Sequence, residues 1–275
     1  MAAAALRRPV RLPTVRARYA LAPYAASRFR FVNPIIVIPS RMASTRLPGK
    51  PLALIAGRAM ILHVLDRARE ADIGPVAVAC ADAEIADAVR ADGGVAVMTD
   101  PSLPSGSDRV HAALAVLDPQ GLHDVVVNLQ GDLPTMPPVQ LRAVITPLSD
   151  PAVDIATLVA PIETLEEAAA PSVVKAACAF DRGRAVSMAL YFSRAPIPAG
   201  DGPLWHHIGI YAYRRAALAR FVGLPESPLE RREKLEQLRA LEAGMRIACA
   251  RVDHAPFGVD TPADLDRARA LLEHT

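Results

Sequence analysis

The chain has 275 residues, 52% of them apolar and only 4% aromatic, which suits one large domain with a core of Ala, Val and Leu. The net charge of +2 excludes a basic coat for nucleic acid, and no apolar run is long enough to predict a membrane span. The three cysteines (Cys80, Cys178, Cys249) are odd in number and lack zinc or disulfide spacing, which points to a reducing cytoplasm.

Residues 1–32 read as an extension outside the fold. They contain Arg7, Arg8, Arg11, Arg16, Arg18, Arg28 and Arg30, many Ala and no acid. A transit peptide has this composition, and so does translation from an upstream start codon in a GC-rich genome; the second reading, or a flexible extension, is preferred. The domain is therefore assigned to residues 33–275.

From Pro34 onward, strand and helix patterns alternate. Ile35–Pro39 is an apolar run of the kind found in buried parallel strands. It opens into Ser40-Arg41-Met42-Ala43-Ser44-Thr45-Arg46-Leu47-Pro48-Gly49-Lys50, which has three cations, a Gly and no acid. No Asp or Glu precedes Asp66. A basic surface turn would look similar, but a loop at this place in an alternating pattern is where open α/β sheets bind ligands. A phosphate site is therefore expected here, with backbone N–H groups and cations facing the oxygens. It is not a Walker A loop, because Pro51 follows Lys50.

Further strands are predicted at Pro75–Cys80, Val95–Thr99 and Asp124–Gln130. Helices are predicted at Met60–Ala71, Ala83–Ala91, Ser107–Leu117 and Pro138–Leu148. The pattern predicts a doubly wound α/β fold. Gln130-Gly131-Asp132 ends the Asp124–Gln130 strand. It is either a plain turn or a carboxylate placed for a metal, because Mg²⁺ at phosphate sites takes one or two carboxylates.

A second half begins near Asp154. Ile155–Pro161 reads as a strand. Val173–Phe180 and Arg184–Tyr191 read as a hairpin about Asp181-Arg182-Gly183. Ile208–Tyr213 is another strand, which puts His207, Gly209 and Tyr211 on one face. His207 is then a half-buried structural histidine or a ligand. Pro228–Ala243 is predicted as one helix with Leu235, Leu238 and Leu241 on one face. Pro262 opens the last helix. Asp260 or Thr261 caps that helix, or Asp260 is a second metal carboxylate. Two carboxylates from distant segments beside a basic loop suit metal-assisted phosphoryl or nucleotidyl transfer.

Six segments in this order resemble the 3-deoxy-manno-octulosonate (KDO) cytidylyltransferases. They are Arg41–Pro51 (RMASTRLPGKP), Asn128–Asp132 (NLQGD), Tyr191–Pro198 (YFSRAPIP), His207–Arg214 (HIGIYAYR), Ser227–Arg239 (SPLERREKLEQLR) and Gly258–Leu265 (GVDTPADL). The resemblance spans about residues 33–275. It implies a doubly wound mixed α/β sheet of the nucleotide-diphospho-sugar transferase type, with a smaller dimerisation subdomain. It implies CMP transfer from CTP to KDO with Mg²⁺ as cofactor, in a homodimer whose contact includes the Val173–Tyr191 region. By resemblance Arg41, Arg46 and Lys50 hold the triphosphate, Ser105 and Gly106 border the cytosine, and Gln130 lies between nucleotide and sugar. Asp132 and Asp260 would hold the metal. Arg194, His207, Tyr211, Glu236 and Gln237 match positions lining the sugar site.

The chain departs from the family pattern at several places. Cys80-Ala81 replaces Thr-Asp, with Asp82 one residue late. Pro104 precedes Ser105. Asp108-Arg109 stands for Glu-Arg, Leu133 replaces an acid, and the segment after Pro198 is short. These leave room for 8-amino-KDO or another sugar acid as substrate, or for a non-catalytic nucleotide-binding paralogue.

Overall fold

An uninterrupted aliphatic strand stays out of water only if helices cover both faces of its sheet. The computed structural model describes residues 32–180 and 183–273 and has this arrangement. The predicted extension lies outside the described residues, apart from Val32. In chain order the elements are β1 (Pro34–Ser40), β2 (Leu54–Ile55), β3 (Arg58–Ala59), α1 (Met60–Glu70), β4 (Val76–Cys80), α2 (Ala83–Ala91) and β5 (Val95–Met98). Next come α3 (Gly106–Leu117), β6 (Val125–Asn128), α4 (Pro138–Val144), β7 (Ile155–Pro161), α5 (Leu165–Ala169), β8 (Lys175–Cys178) and β9 (Val186–Ser193). The last are β10 (Trp205–Arg214), α6 (Arg215–Val222), α7 (Pro228–Glu233), α8 (Gln237–Glu242), β11 (Ile247–Arg251) and α9 (Pro262–Leu272).

Among the described residues the main sheet has nine strands in the order β5-β4-β1-β6-β10-β7-β11-β9-β8. Strands β5, β4, β1 and β6 are parallel, and β10 runs antiparallel between β6 and β7. The doubly wound mixed sheet expected from the sequence is therefore present. Ile36 and Ile38 pack into a cluster with Ile61 and Leu65 of α1 and Ile85 of α2. Ile35 and Val37 pack into the opposite cluster with Val110 of α3 and Phe221 of α6. Each fully buried side chain of this size contributes about 1.5–3 kcal/mol, so strand β1 is the keel of the fold.

The second half continues the same sheet. Its far edge curls back, and His206 of β10 pairs with Lys175 of β8. The predicted hairpin is present as antiparallel β8 and β9. Asp181 and Arg182 of its turn lie outside the described residues.

Two predicted helices are shorter than expected. The one from Pro138 ends at Val144 and passes into a 3-10 turn at Thr146–Ser149. Pro147 cannot supply the N–H that an α-helix would need there. The predicted helix Pro228–Ala243 is broken: Lys234 adopts φ 58° and ψ 45°, a left-handed stop between α7 and α8. Leu235 and Leu238 are still buried, so the apolar spacing reports packing rather than one continuous helix.

Candidate active site

The site forms where the chain leaves β1 toward β4 while β6 lies on β1's other side. Loops at the ends of these two parallel strands diverge and open a crevice. After Ser40 the basic loop folds onto itself: Gly49 N–H donates to the Met42 carbonyl at 3.3 Å, and Lys50 N–H to the Leu47 carbonyl at 3.1 Å. Gly49 has φ 69°, a left-handed conformation that favours glycine. A 3-10 turn, Lys50–Leu52, follows with Pro51 buried. Buried Pro51 anchors the turn that carries Lys50 at the cavity. The loop is also tied from outside, because Met42 N–H donates to Asp82 Oδ2 at 2.7 Å. Asp82, two residues past the end of β4, thus holds the basic loop.

Asp132 comes from the turn after β6. Gly131 lets that turn pass close over β1, since a Cβ there would lie 3.2 Å from the Pro39 carbonyl oxygen. Asp260 arrives from the far end of the chain. Val259 N–H donates to the Asp132 carbonyl at 2.9 Å and joins the two segments. Thr261 caps α9 in a capping box with Asp264, and Asp264 Oδ2 also accepts from Asp260 N–H. Thr261 is therefore the cap, and the Asp260 carboxylate is left for the site. Thr261-x-x-Asp264 was the available signal for this division of roles. Leu133 packs in the core beside Gly258.

The Lys50 ammonium lies between the two carboxylates, 2.9 Å from Asp132 Oδ2 and 3.1 Å from Asp260 Oδ1. Arg46 Nη2 is 3.0 Å from Asp260 Oδ2. Burial would lower the Lys50 pKa, but Asp132 and Asp260 outweigh it and hold the value above the usual lysine range. The carboxylate pair already shares one cation. Two part-exposed carboxylates beside a basic loop fit the donor set that Mg²⁺ takes when phosphate oxygens and water complete its shell. Among the described residues no group of three or more His, Cys, Asp or Glu converges.

A cavity of about 370 Å³ is lined by Arg41, Arg46, Lys50, Ser105, Gly106, Gln130, Asp132 and Asp260. The structure thus brings together the seven residues assigned to triphosphate, base and metal, and Gln130, assigned a place between nucleotide and sugar. Ser105 is the N-cap of α3; its hydroxyl accepts from Asp108 N–H and faces Asp108 Oδ2. Gly106 lies tight against Pro39.

Four of the five residues assigned to the sugar, His207, Tyr211, Glu236 and Gln237, form an adjoining cluster with Gln130 and Asn128. Gln130 Nε2 donates to Asn128 Oδ1 at 3.1 Å, and Ser107 Oγ donates to Glu236 Oε2 at 3.2 Å. Tyr211 of β10 is opposite Asn128 of β6 in the ladder. Its ring is 5.5 Å from that of His207. Glu236 Oε1 and Gln237 Nε2 are shielded from solvent without a hydrogen-bond partner among the described residues, and Arg239 Nη2 lies 4.0 Å from Glu236 Oε1. Burial pushes the Glu236 pKa up, against the Ser105, Arg239 and Ser107 side chains.

His207 is neutral at physiological pH: burial, helped by His206, lowers its pKa to about 3. Thr157 Oγ1 is 3.0 Å from His207 Nε2 and 2.8 Å from the Ile210 carbonyl. A hydroxyl has one proton, and the carbonyl can only accept it. Nε2 of His207 therefore carries the ring proton, which leaves Nδ1 as the acceptor.

Arg194 is not with this cluster. Its guanidinium donates to the carbonyls of Glu233 at 2.9 Å, Pro171 at 2.9 Å and Lys234 at 3.3 Å. It clamps the α7–α8 joint that delivers Glu236 and Gln237. Asp82, Ser107, Asn128 and Asp264 were not assigned from the sequence. Only Asp264 carried a local signal; the others matter through contacts made by the fold.

A cytidylyltransferase family model matches residues 35–247. The 3-deoxy-manno-octulosonate cytidylyltransferase of Rhodospirillum centenum is 66% identical over 241 residues, 88% of this chain and 94% of that protein. The enzyme of the same name from Methylobacterium radiotolerans is 64% identical over 245 residues, 88% of this chain and 97% of that one. A solved CMP-2-keto-3-deoxy-manno-octonic acid synthetase in complex with CTP superposes with a TM-score of 0.81 at 41% identity, covering 88% of this chain and 99% of that one. The 4-diphosphocytidyl-2C-methyl-D-erythritol synthase of Anaerococcus prevotii, at 12% identity and TM-score 0.59, shares the fold. With most of its length matched at this identity, the chain belongs to the 3-deoxy-manno-octulosonate cytidylyltransferase family.

Proposed function

We propose that the protein transfers CMP from CTP to the anomeric 2-hydroxyl of KDO and releases pyrophosphate, the activation step that precedes sugar transfer to lipopolysaccharide. The observation that carries this reading is Lys50 held between Asp132 and Asp260 at a basic cavity on the sheet's switch point. Arg41, Arg46 and Lys50 hold the triphosphate and neutralise charge that grows on the leaving pyrophosphate. Ser105 and Gly106 border the base. Gln130, His207, Tyr211, Glu236 and Gln237 hold the sugar acid, and Arg194 positions the last two.

The KDO 2-oxygen forms a bond to the α-phosphorus in line with the breaking bond to the β-phosphate bridge oxygen. Pyrophosphate leaves with that electron pair, and the hydroxyl proton passes to solvent. No protein nucleophile takes part: Ser105, which lines the cavity and pairs with Asp108, is occupied as the N-cap of α3. Mg²⁺ held by Asp132 and Asp260 would neutralise phosphate charge and lower the hydroxyl pKa. Neutral His207 offers Nδ1 as an acceptor to a sugar hydroxyl.

The enzyme works in the cytoplasm as a homodimer joined through β8 and β9, where Leu190 is 71% exposed. Leu190→Asp is expected to halve the mass measured by light scattering; an unchanged mass would place the contact elsewhere. The chemistry is tested with KDO carrying ¹⁸O at the anomeric hydroxyl. The label is expected in CMP-KDO and not in pyrophosphate, and label in pyrophosphate would refute the proposed attack.

A further inference from the structure

Arg109 is a buried charge that the foregoing roles do not use. It lies in the first turn of α3, is 2% exposed, and lines the nucleotide cavity beside Ser105 and Gly106. Nη1 donates to Thr99 Oγ1 at 2.6 Å and to the Asp100 carbonyl at 3.1 Å. Both acceptors are neutral. Among the described residues, Nε and Nη2 have no acceptor and no carboxylate forms an ion pair with Arg109. Neither atom is among the shielded, unpartnered polar atoms of the described residues, and Arg109 lines the cavity.

A guanidinium withdrawn from water without a counter-charge is costly, and breaking even requires close pairing. Arg109 has the burial without the pair. Burial lowers its pKa, and repulsion from Arg41 adds to that; Asp82 and Asp100 act in the opposite sense. Two cations thus face the same space with too little negative charge between them. Thr99 and Asp100 fix the guanidinium plane through Nη1. The Nε–Nη2 edge that remains is the edge that grips an oxyanion with two parallel hydrogen bonds.

We propose that Arg109 is a further nucleotide-binding residue, whose Nε and Nη2 take a phosphate oxygen of bound CTP. The proposal rests on the cytidylyltransferase reading for the identity of the nucleotide, while the anion site itself follows from the geometry alone. A base-reading role would engage cytidine instead, and a purely structural role would leave no preference for anions.

The test uses the full chain and two variants, Arg109→Gln and Arg109→Lys. Thermal shifts are measured with pyrophosphate and, separately, with cytidine. The wild type should be stabilised by pyrophosphate. In Arg109→Gln the pyrophosphate affinity should fall about ten- to a hundredfold, the loss of a charge-assisted contact, with the cytidine response unchanged. Arg109→Lys should fall between the two. Melting without ligand should not drop in Arg109→Gln, because an uncompensated buried charge is removed. Three results would overturn the proposal: no response of the wild type to pyrophosphate, an undiminished response in Arg109→Gln, or equal loss of both ligands with lower melting. CMP-KDO formation by the wild type is assayed separately. Its absence alongside the expected pyrophosphate loss would reject the substrate reading and keep the anion site.

Discussion

Lys50, Asp132 and Asp260 show how three side chains define this site. Each carboxylate is partly open to water, so the apo ion pairs contribute little stability, about 1 kcal/mol or less apiece. Asp132→Asn and Asp260→Asn should therefore melt near the wild type, yet turnover should fall at least about a hundredfold as transition-state charge loses a partner. A pyrophosphate-release assay beside a thermal melt separates the two effects. Lys50→Met should leave Asp132 and Asp260 repelling each other. Its melting point should be lower and should rise with added Mg²⁺, more than the wild type's does without nucleotide; no such response would remove the metal assignment. His207 sets a pH dependence. Its folded pKa is lowered to about 3 from 6.5, so below pH 6.5 the unfolded chain gains a proton that the folded chain refuses. This group's share of stability is full above pH 6.5 and lost as pH falls toward 3, at about 1.4 kcal/mol per pH unit. Denaturant melts of His207→Gln between pH 4 and 6.5 should show a slope shallower by about one proton.

Elements with one dominant signal were legible in the sequence. The apolar run of β1, the pattern of α2 and the strand Ile155–Pro161 appear where they were read, and Thr261-Pro262 opens α9 as expected. The structure brings the basic loop and both carboxylates, singled out in the sequence by their charge, to one cavity. Elements set by tertiary contact were not legible. The short β2–β3 pair, α5, α6 and β11 passed unread, and the α7–α8 break contradicts a good helical pattern. Lys234 turns left-handed because its N–H closes on the Glu230 carbonyl at 2.7 Å and Arg194 holds its own carbonyl. An L-residue there costs about 1–2 kcal/mol, so Lys234→Gly should melt at or above the wild type. Lys234→Pro, which loses the N–H and cannot adopt positive φ, should melt well below it and weaken sugar binding. A higher KM for KDO with an unchanged KM for CTP in any folded Lys234 variant would tie this break to Glu236 and Gln237.

At the scale of the whole molecule, one sheet positions both residue clusters. Parallel β1 and β6 send their loops apart and create the basic cavity. Antiparallel β10 then pairs with β6 so that Tyr211 meets Asn128, which sets the sugar cluster beside that cavity. No local pattern announces that β10 enters between β6 and β7, and this is why Ser107 and Asn128 could not be assigned from the chain alone. Asp82 reaches the basic loop through Met42 N–H, and Leu133 packs in the core beside Gly258. Pyrophosphate release from CTP and Mg²⁺ with KDO, with 8-amino-KDO and with no sugar decides the matter most directly. The predicted result is release with KDO that is abolished in Asp132→Asn. Release with the amino sugar alone would contradict the assigned substrate, and no release with any sugar while CTP still binds would contradict catalysis itself.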